Sequence, residues 1–564
     1  MLEKQKSLFQ LLLLLVAIIT INVISSQVFY RIDLTSDNRY TLKDKTVEIL
    51  EDLDDVVYYK IYLEGDLPVG LQRMQRRIKE TLDEFRVHAG ENIQYTFINP
   101  SKGKNPEKRQ NFYKELRQKG LRATNVKQRD KEGEYSQKII FPGAVVNHGE
   151  EHTAVNLLKD NSKASHEVNL NHSIQSLEYE LIDAAYKLTL DKKTPIAFIE
   201  GHGELNKFEV GDITKSLSDY YRVDRMNIKE QPEKLNNYNA LIVAKPEKRF
   251  SKFEKFALDQ YVMNGGSVFW LIDRVNISLD SLTRSSDTYA KINNLNLNDL
   301  LFKYGVRINP NLIKDLQCAV IPINTSYQNN NPRFSPTPWL YFPLLPSRND
   351  HAISQGLNLI RSEFISSIDT LPAYPGVKKT ILLGTSERTK IVEAPALVSL
   401  REVEKKQDPR TFRAGRQVTG VLLEGKFQSV FRNRFTDDLQ NRLGQKYREN
   451  GSETKMIIVS DGDIIKNDVS YKADGKYISP LGYDKYTRQT YGNKGFVMNS
   501  IHYLADKEGL INIRGKNIKL RLLNESKVKQ DRVKWQIVNG LLPILIIIIF
   551  GLARNFIRKR KFTR

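Results

Sequence analysis

The sequence predicts an α/β protein strung between two membrane anchors, and three observations carry the prediction. Period-2 apolar strands alternate with amphipathic helices through most of the 564 residues, the pattern of helices packed on a sheet. Two long uncharged apolar runs lie near the termini, at 8–25 and 535–553. Finally, 87 basic against 66 acidic residues leave a formal charge of +21, which suits an anionic neighbour such as lipid, cell-wall polymer or nucleic acid. No compact basic motif stands in mid-chain, so the charge reads first as a solvated surface, then as a membrane-proximal one, with nucleic acid last. Cys318 is the only cysteine, which excludes an intramolecular disulfide, a CxxC redox pair, a multi-cysteine zinc site and a lipidated cysteine after the first apolar run.

The first apolar run follows Lys4 and Lys6 and is long enough to span a bilayer, giving an uncleaved anchor over 1–27. A cleavable signal peptide is the alternative, with Val23 and Ser25 open to a processing enzyme. The second run would reach ~28 Å as a helix, close to the hydrocarbon thickness. Arg554, Arg558, Lys559, Arg560, Lys561 and Arg564 make 554–564 a basic cytoplasmic tail, although Lys527, Lys529, Arg532 and Lys534 flank the other side. Asn539 and Pro543 inside the span suit a packed partner helix. The charge rule then places both termini in the cytoplasm and about 500 residues outside the inner membrane.

Residues 28–170 read as one domain. A helix begins near Thr41, a candidate N-cap with Asp44 three residues on, and "VVYYKIYLEG" is an alternating strand. Leu71, Met74, Ile78, Leu82 and Phe85 recur at helical spacing; "NIQYTFINP" is a second strand, "EKRQNFYKELRQKG" a helix ending on Gly120, and 137–158 a hairpin. The order β-α-β-α-β-β is that of a thioredoxin-like sandwich without CxxC, hence without its redox chemistry. A connecting helix over 171–190 puts Ile174, Leu177, Leu181, Ala185 and Leu188 on one face. An α/β domain follows over 191–506: "PIAFIE", "YYRVDRMNI", "YNALIVAKP" and "SVFWLID" are strands, and Ser251 with Glu254 caps a helix that Gly265 and Gly266 end. The stretches 324–346, 401–417 and 434–454 read as long loops or insertions before a late strand "TKMIIVSDGD" and a helix "FVMNSIHYLA". A juxtamembrane segment, 507–534, leads to the second span.

Candidate chemistry gathers at strand ends. "GHGE" puts His202 and Glu204 where ligands sit in open α/β sheets, and Gly201 and Gly203 would let a ligand or another backbone approach. The alternative is a sharp turn whose histidine bonds nearby backbone. Asp273, Asp461 and Asp463 end two further strands, so three carboxylates at that edge could hold a cation, bind a sugar or serve acid–base chemistry; ordinary turn and N-cap aspartates explain them equally. Trp339, with Tyr341 and Phe342 among prolines, could stack on sugar or dock a partner, or cover a core. "HGEEH" at 148–152 has Gly149 where the zinc-protease box needs glutamate and sits in a hairpin turn, so no metal site is expected. No GxxxxGK[ST] occurs: Lys104, Lys426, Lys476 and Lys516 follow glycine without a following Ser or Thr. No GxSxG elbow occurs either.

"RIDLTSDNRYTL", "YLEGDLP", "FINP", "IAFIEGHGE", "KFALDQYVMNGGSVFWLID" and "VSDGD", set between two anchors, together resemble the GldG family, the gliding-associated ABC-transporter auxiliary proteins of Bacteroidota. The resemblance runs from about residue 28 to the second span. It implies partnership with a GldF-type permease and a GldA-type ATPase. It also implies a doubly wound α/β domain with insertions, related to a domain of an intraflagellar-transport protein and distantly similar to class I glutamine amidotransferases. Those enzymes need a cysteine on an elbow after a strand, whereas Cys318 lies in "DLQCAVIPIN", so amidotransferase catalysis does not carry over. The expectation is a non-catalytic, cofactor-free accessory subunit, a substrate-binding protein whose candidate ligand residues are Gly201, His202, Gly203, Glu204, Asp273, Asp461, Asp463 and Trp339, the ligand being a small molecule or envelope polysaccharide. The alternatives are an envelope glycan hydrolase or transferase using the same residues, and a periplasmic scaffold that transmits the ATPase cycle to a motility or secretion apparatus.

Overall fold

The computed structural model describes residues 13–16, 18–20, 41–102, 105–129, 135–159, 166–190, 192–324, 334–347, 351–372, 376–405, 407–434, 436–472, 475–506, 511, 513 and 531–562. They divide into a large unit, Leu42–Lys516, and a terminal unit made of Met1–Thr41 and Asn517–Arg564.

The large unit begins with α1 (Asp44–Glu51), β1 (Val57–Ile61), α2 (Val69–Ala89), β2 (Ile93–Phe97) and α3 (Pro106–Gln118). All five residues of the apolar stripe on α2 are buried, each worth roughly 1.5–3 kcal/mol against exposure, and the helix stops at Gly90, whose φ of 59° lies in the left-handed region. Asn105 caps α3 by accepting from the Lys108 amide. After β3 (Thr124–Arg129), β4 (Tyr135–Ile140), β5 (Gly143–His148) and β6 (Glu151–Asn156), a four-stranded sheet has the order β2-β1-β5-β6, with β1 parallel to β2 and antiparallel to β5.

Three expectations change here. The expected hairpin over 137–158 is two hairpins, because β4 pairs back with β3 and only β5 and β6 pair with each other. The N-cap of α1 is Lys43 in place of Thr41, and the Lys43 amide donates to Glu178 Oε1 at 2.7 Å. The single connecting helix is broken into α4 (His166–Gln175) and α5 (Leu177–Leu188) at Ser176. Leu177, Leu181 and Ala185 are buried as the stripe predicts.

The second sheet is built from β7 (Thr194–Glu200), β8 (Tyr221–Asn227), β9 (Ala240–Ala244) and β10 (Ser267–Leu271), followed by β11 (Val377–Gly384), β12 (Val418–Gln428) and β13 (Asn450–Val459). Its order is β11-β12-β13-β10-β9-β7-β8. The five strands β8, β7, β9, β10 and β13 are parallel, and β12 and β11 extend the sheet antiparallel. Every residue of β9 and β10 is buried, the run expected of a parallel strand covered on both faces.

Alternate residues of these strands divide between two cores. Leu241, Val243, Val268 and Trp270 face α7 (Lys252–Met263). Ile242, Ala244, Phe269 and Leu271 face α6 (Gly211–Leu217) and α8 (Asn493–Ala505). The α7 helix starts on the predicted capping box, Ser251 Oγ accepting from the Glu254 amide and Glu254 returning a carboxylate to the Ser251 amide.

The stretches expected as loops carry structure. Phe334–Leu345 is a strand paired with Cys318–Asn324, Asp437–Leu443 is a helix, and 3₁₀ turns occupy Leu400–Glu404 and Pro409–Thr411. Prolines disguised the strand, yet Pro336, Pro338 and Pro343 sit in a short insertion sheet with few neighbouring strands, where a missing amide costs little.

In the terminal unit, α9 (Arg532–Phe562) is a continuous helix of 31 residues that passes through Pro543. It is long and apolar enough to cross a membrane, and its side chains from Arg532 to Lys561 are exposed. Of the first apolar run, 13–16 and 18–20 are helical and exposed, and the remainder lies outside the described residues.

Candidate functional site

The parallel strands, read along the sheet, give the order 2-1-3-4-5, a doubly wound arrangement whose direction reverses between β7 and β9. Folds of this kind take ligands in the crevice at the carboxyl ends of those two strands. The segment 201–205 runs into that position. Gly201 and Gly203 have φ of 121° and 78°, conformations a side chain rarely adopts, and a Cβ on Gly201 would stand 2.9 Å from Asn227 Oδ1. The glycines are thus required by the turn itself.

The turn is bonded across the crevice. The Leu205 amide donates to the Ala244 carbonyl at the end of β9, and the amides of Glu247 and Lys248 donate to the His202 carbonyl at 2.9 and 2.7 Å. The His202 side chain is fully buried and stacks on Phe250, ring centroids 3.7 Å apart. Its Nδ1 faces Glu204 Oε1 at 3.3 Å and its Nε2 faces Glu254 Oε2 at 3.2 Å, so each ring nitrogen has a carboxyl partner. Glu204 also accepts from the His202 amide at 2.7 Å. Burial works to raise the Glu254 carboxyl, but the Ser251 amide, the Ser251 hydroxyl and His202 hold it below its ordinary value.

A second group occupies the same edge of the sheet at the ends of β9, β10 and β13. Asp273, Asp461 and Asp463 each bring a carboxylate oxygen within 4.8 Å of the others. The cation at their centre is Lys245, the residue after β9, whose Nζ lies 2.5 Å from Asp463 and 3.2 Å from Asp273. Lys245 reaches in from a φ of 55°, an uncommon conformation for a residue with a side chain. Asp273 accepts from the Gly462 amide at 2.5 Å, while Asp461 accepts from the amides of Glu363 and Asp463, each at 2.7 Å. Lys466 stands 3.7 Å from Asp463, and Arg361 bonds Glu363 at 2.9 Å.

Burial, with Asp463 and Asp273 alongside, pushes the Asp461 carboxyl well above the usual carboxylate range. Burial also raises Asp273 and Glu363, against the pull of Lys245 on the first and Arg361 on the second. Asp463 goes the other way: burial opposes it, but Lys245 and Lys466 together hold it low. Burial would lower Lys245, yet Asp273, Asp463 and Asp461 push it above its ordinary value. The carboxylates therefore neutralise a lysine, and a metal ion would have to displace that ammonium.

The structure thus brings Asp273, Asp461 and Asp463 together and holds His202 with Glu204 in a separate hydrogen-bonded group at the same edge. Trp339 joins neither. Of its two expected roles, ligand or partner contact and core cover, the structure shows the second: its strand buries it to 2 % exposure in the core of the insertion, 5.3 Å from the Tyr341 ring. Sequence reasoning missed Lys245, Phe250, Arg361, Glu363 and Lys466. A signal existed for Lys245, since it ends "ALIVAK" as Asp273 ends "SVFWLID", a charge at the carboxyl end of a buried strand.

An uncharacterized protein of Borreliella burgdorferi (strain ATCC 35210 / DSM 4680 / CIP 102532 / B31) is 20% identical over 576 aligned residues, covering 99% of each chain. Among solved structures, the mmIFT52 N-terminal domain is 13% identical and aligns with 56% of this chain and 98% of its own, with a TM-score of 0.31. Residues 36–147 match a domain of unknown function, DUF7088. Residues 193–500, more than half the chain, match the model of the ABC-type uncharacterized transport system auxiliary family, and the chain belongs to that family.

Proposed function

We propose that this chain is a non-catalytic, membrane-anchored subunit that couples an ABC transporter to an envelope partner, acting as a scaffold in preference to a solute-capturing protein. The observation that carries the reading is the occupied switch point: the crevice between β7 and β9 is bridged by the chain's own turn, with His202 buried between Glu204, Glu254 and Phe250. A capture site needs polar groups with bonds left to offer, whereas these are already engaged with one another. The test is extraction in mild detergent. The full chain is expected to co-purify with a permease and an ATPase, and a chain that travels with neither overturns the proposal.

The finer identity follows the resemblance. We read the first sheet as thioredoxin-like, the second as amidotransferase-like, the partners as GldF-type and GldA-type, the termini as cytoplasmic and the process as gliding motility. A deletion strain that glides normally would remove the last of these. The glycan-acting alternative draws on the same histidine and glutamate. It takes over if His202→Ala and Glu204→Ala abolish turnover of a defined glycan while fold and complex persist. Saturable binding of a glycan or small molecule, lost in Glu204→Ala, would return the solute-binding reading.

A further inference from the structure

Beside the second sheet, the chain projects a two-stranded hairpin, Val469–Lys472 paired with Gly475–Ile478, that joins no other strand among the described residues. Such a ribbon is marginally stable alone and usually has a surface to lie on. Its base is fixed: Asn467 bonds the backbone of Phe208 and Glu209, and Ile478 packs where Gly211 leaves no side chain. Farther out, Tyr471 is 74% exposed and Tyr477 54%. Lys476 Nζ lies 3.9 Å from the Phe208 ring centroid and 5.4 Å from that of Tyr471. A second short hairpin, Tyr483–Asp484 with Gln489–Thr490, carries Lys485 beside an exposed Tyr486, and then Arg488. Among the described residues, Lys476, Lys485 and Arg488 have no carboxylate partner, whereas the half-buried Lys466 and Lys494 nearby are paired with Glu209 and Asp212.

We propose that these two hairpins form a docking surface for the anionic headgroups of a lipid bilayer. Tyrosine rings bearing a polar tip, interleaved with unpaired lysine and arginine, are the side chains that favour the headgroup layer. Ile511 and Ile513 are buried in the large unit, and residues 514–531 before α9 extend at most roughly 60 Å. A chain tethered to a membrane by α9 therefore meets lipid at high effective concentration, so weak headgroup contacts suffice.

The test uses the full chain in nanodiscs, with hydrogen exchange of the backbone amides as the readout. In discs containing phosphatidylglycerol, amides within 469–490 are expected to exchange at least ~10-fold more slowly than in pure phosphatidylcholine discs, and added salt should erase the difference. The triple variant Lys476→Glu, Lys485→Glu, Arg488→Glu should lose the protection while the amides of β9 and β10 stay protected. Equal exchange in the two lipids overturns the proposal. Protection by soluble dextran sulfate but not by anionic discs also overturns it, in favour of an anionic polymer as the partner.

Discussion

Lys245 is the residue on which the candidate site turns. One ammonium sits against two carboxylates that burial alone would expel, so removing it leaves charge with no counter-ion. Lys245→Met is expected to destabilise the large unit by about 3–5 kcal/mol in chemical denaturation. Adding Asp463→Asn should recover part of that loss, because the second change removes one of the stranded charges. A smaller, backbone effect belongs to Gly201. Gly201→Ala forces a side chain into a φ of 121° against Asn227 and should cost about 1–3 kcal/mol. Asn227→Ala would relieve the contact without relieving the conformation. At this scale the sequence displayed the aspartates, since strand-end carboxylates are visible from local pattern. It hid their partners, because Arg361 and Glu363 come from an insertion about 100 residues from Asp461, and no local rule joins them.

Among the elements, the carboxyl edge of the second sheet titrates as a unit. Asp461, Asp273 and Glu363 have folded values above their unfolded ones, so the native state binds more protons and loses relative stability as pH rises above the ordinary carboxylate range of about 4. Asp463 and Glu254 have folded values below their unfolded ones, and their stabilisation is lost only as pH falls through those lowered values. The expected profile is a melting temperature that declines from mildly acidic toward neutral pH, with a separate fall at strong acid. Asp461→Asn should flatten the first decline, and an unchanged slope in that variant would detach the effect from this edge. The strands and helices bounding the edge were legible because β7, β9, β10 and α7 are consistent at every level, from apolar run to capping box. The insertion was not. Its strands Asn311–Asp315, Cys318–Asn324 and Phe334–Leu345 are punctuated by proline and asparagine and gain their order from tertiary packing around Trp339, Tyr341 and Phe342.

For the whole molecule, two apolar runs predict two anchors, and α9 is one helix of the required length. A chain lacking residues 532–564 should remain in the membrane fraction after carbonate washing, held by 8–25, whereas release would mean that α9 is the only anchor. The doubly wound expectation for the second sheet comes only through the resemblance, since strand order depends on long-range pairing and not on the pattern within each strand. One arrangement at the carboxyl edge of that sheet has a kinetic meaning. Glu254 Oε2 serves the Ser251 amide at the start of α7 and His202 after β7 at once, so neither can open without releasing a carboxylate the other requires. The first turn of α7 and the loop after β7 should therefore open together, their amide protons sharing one exchange rate in the native state, and Glu254→Gln should separate that rate into two.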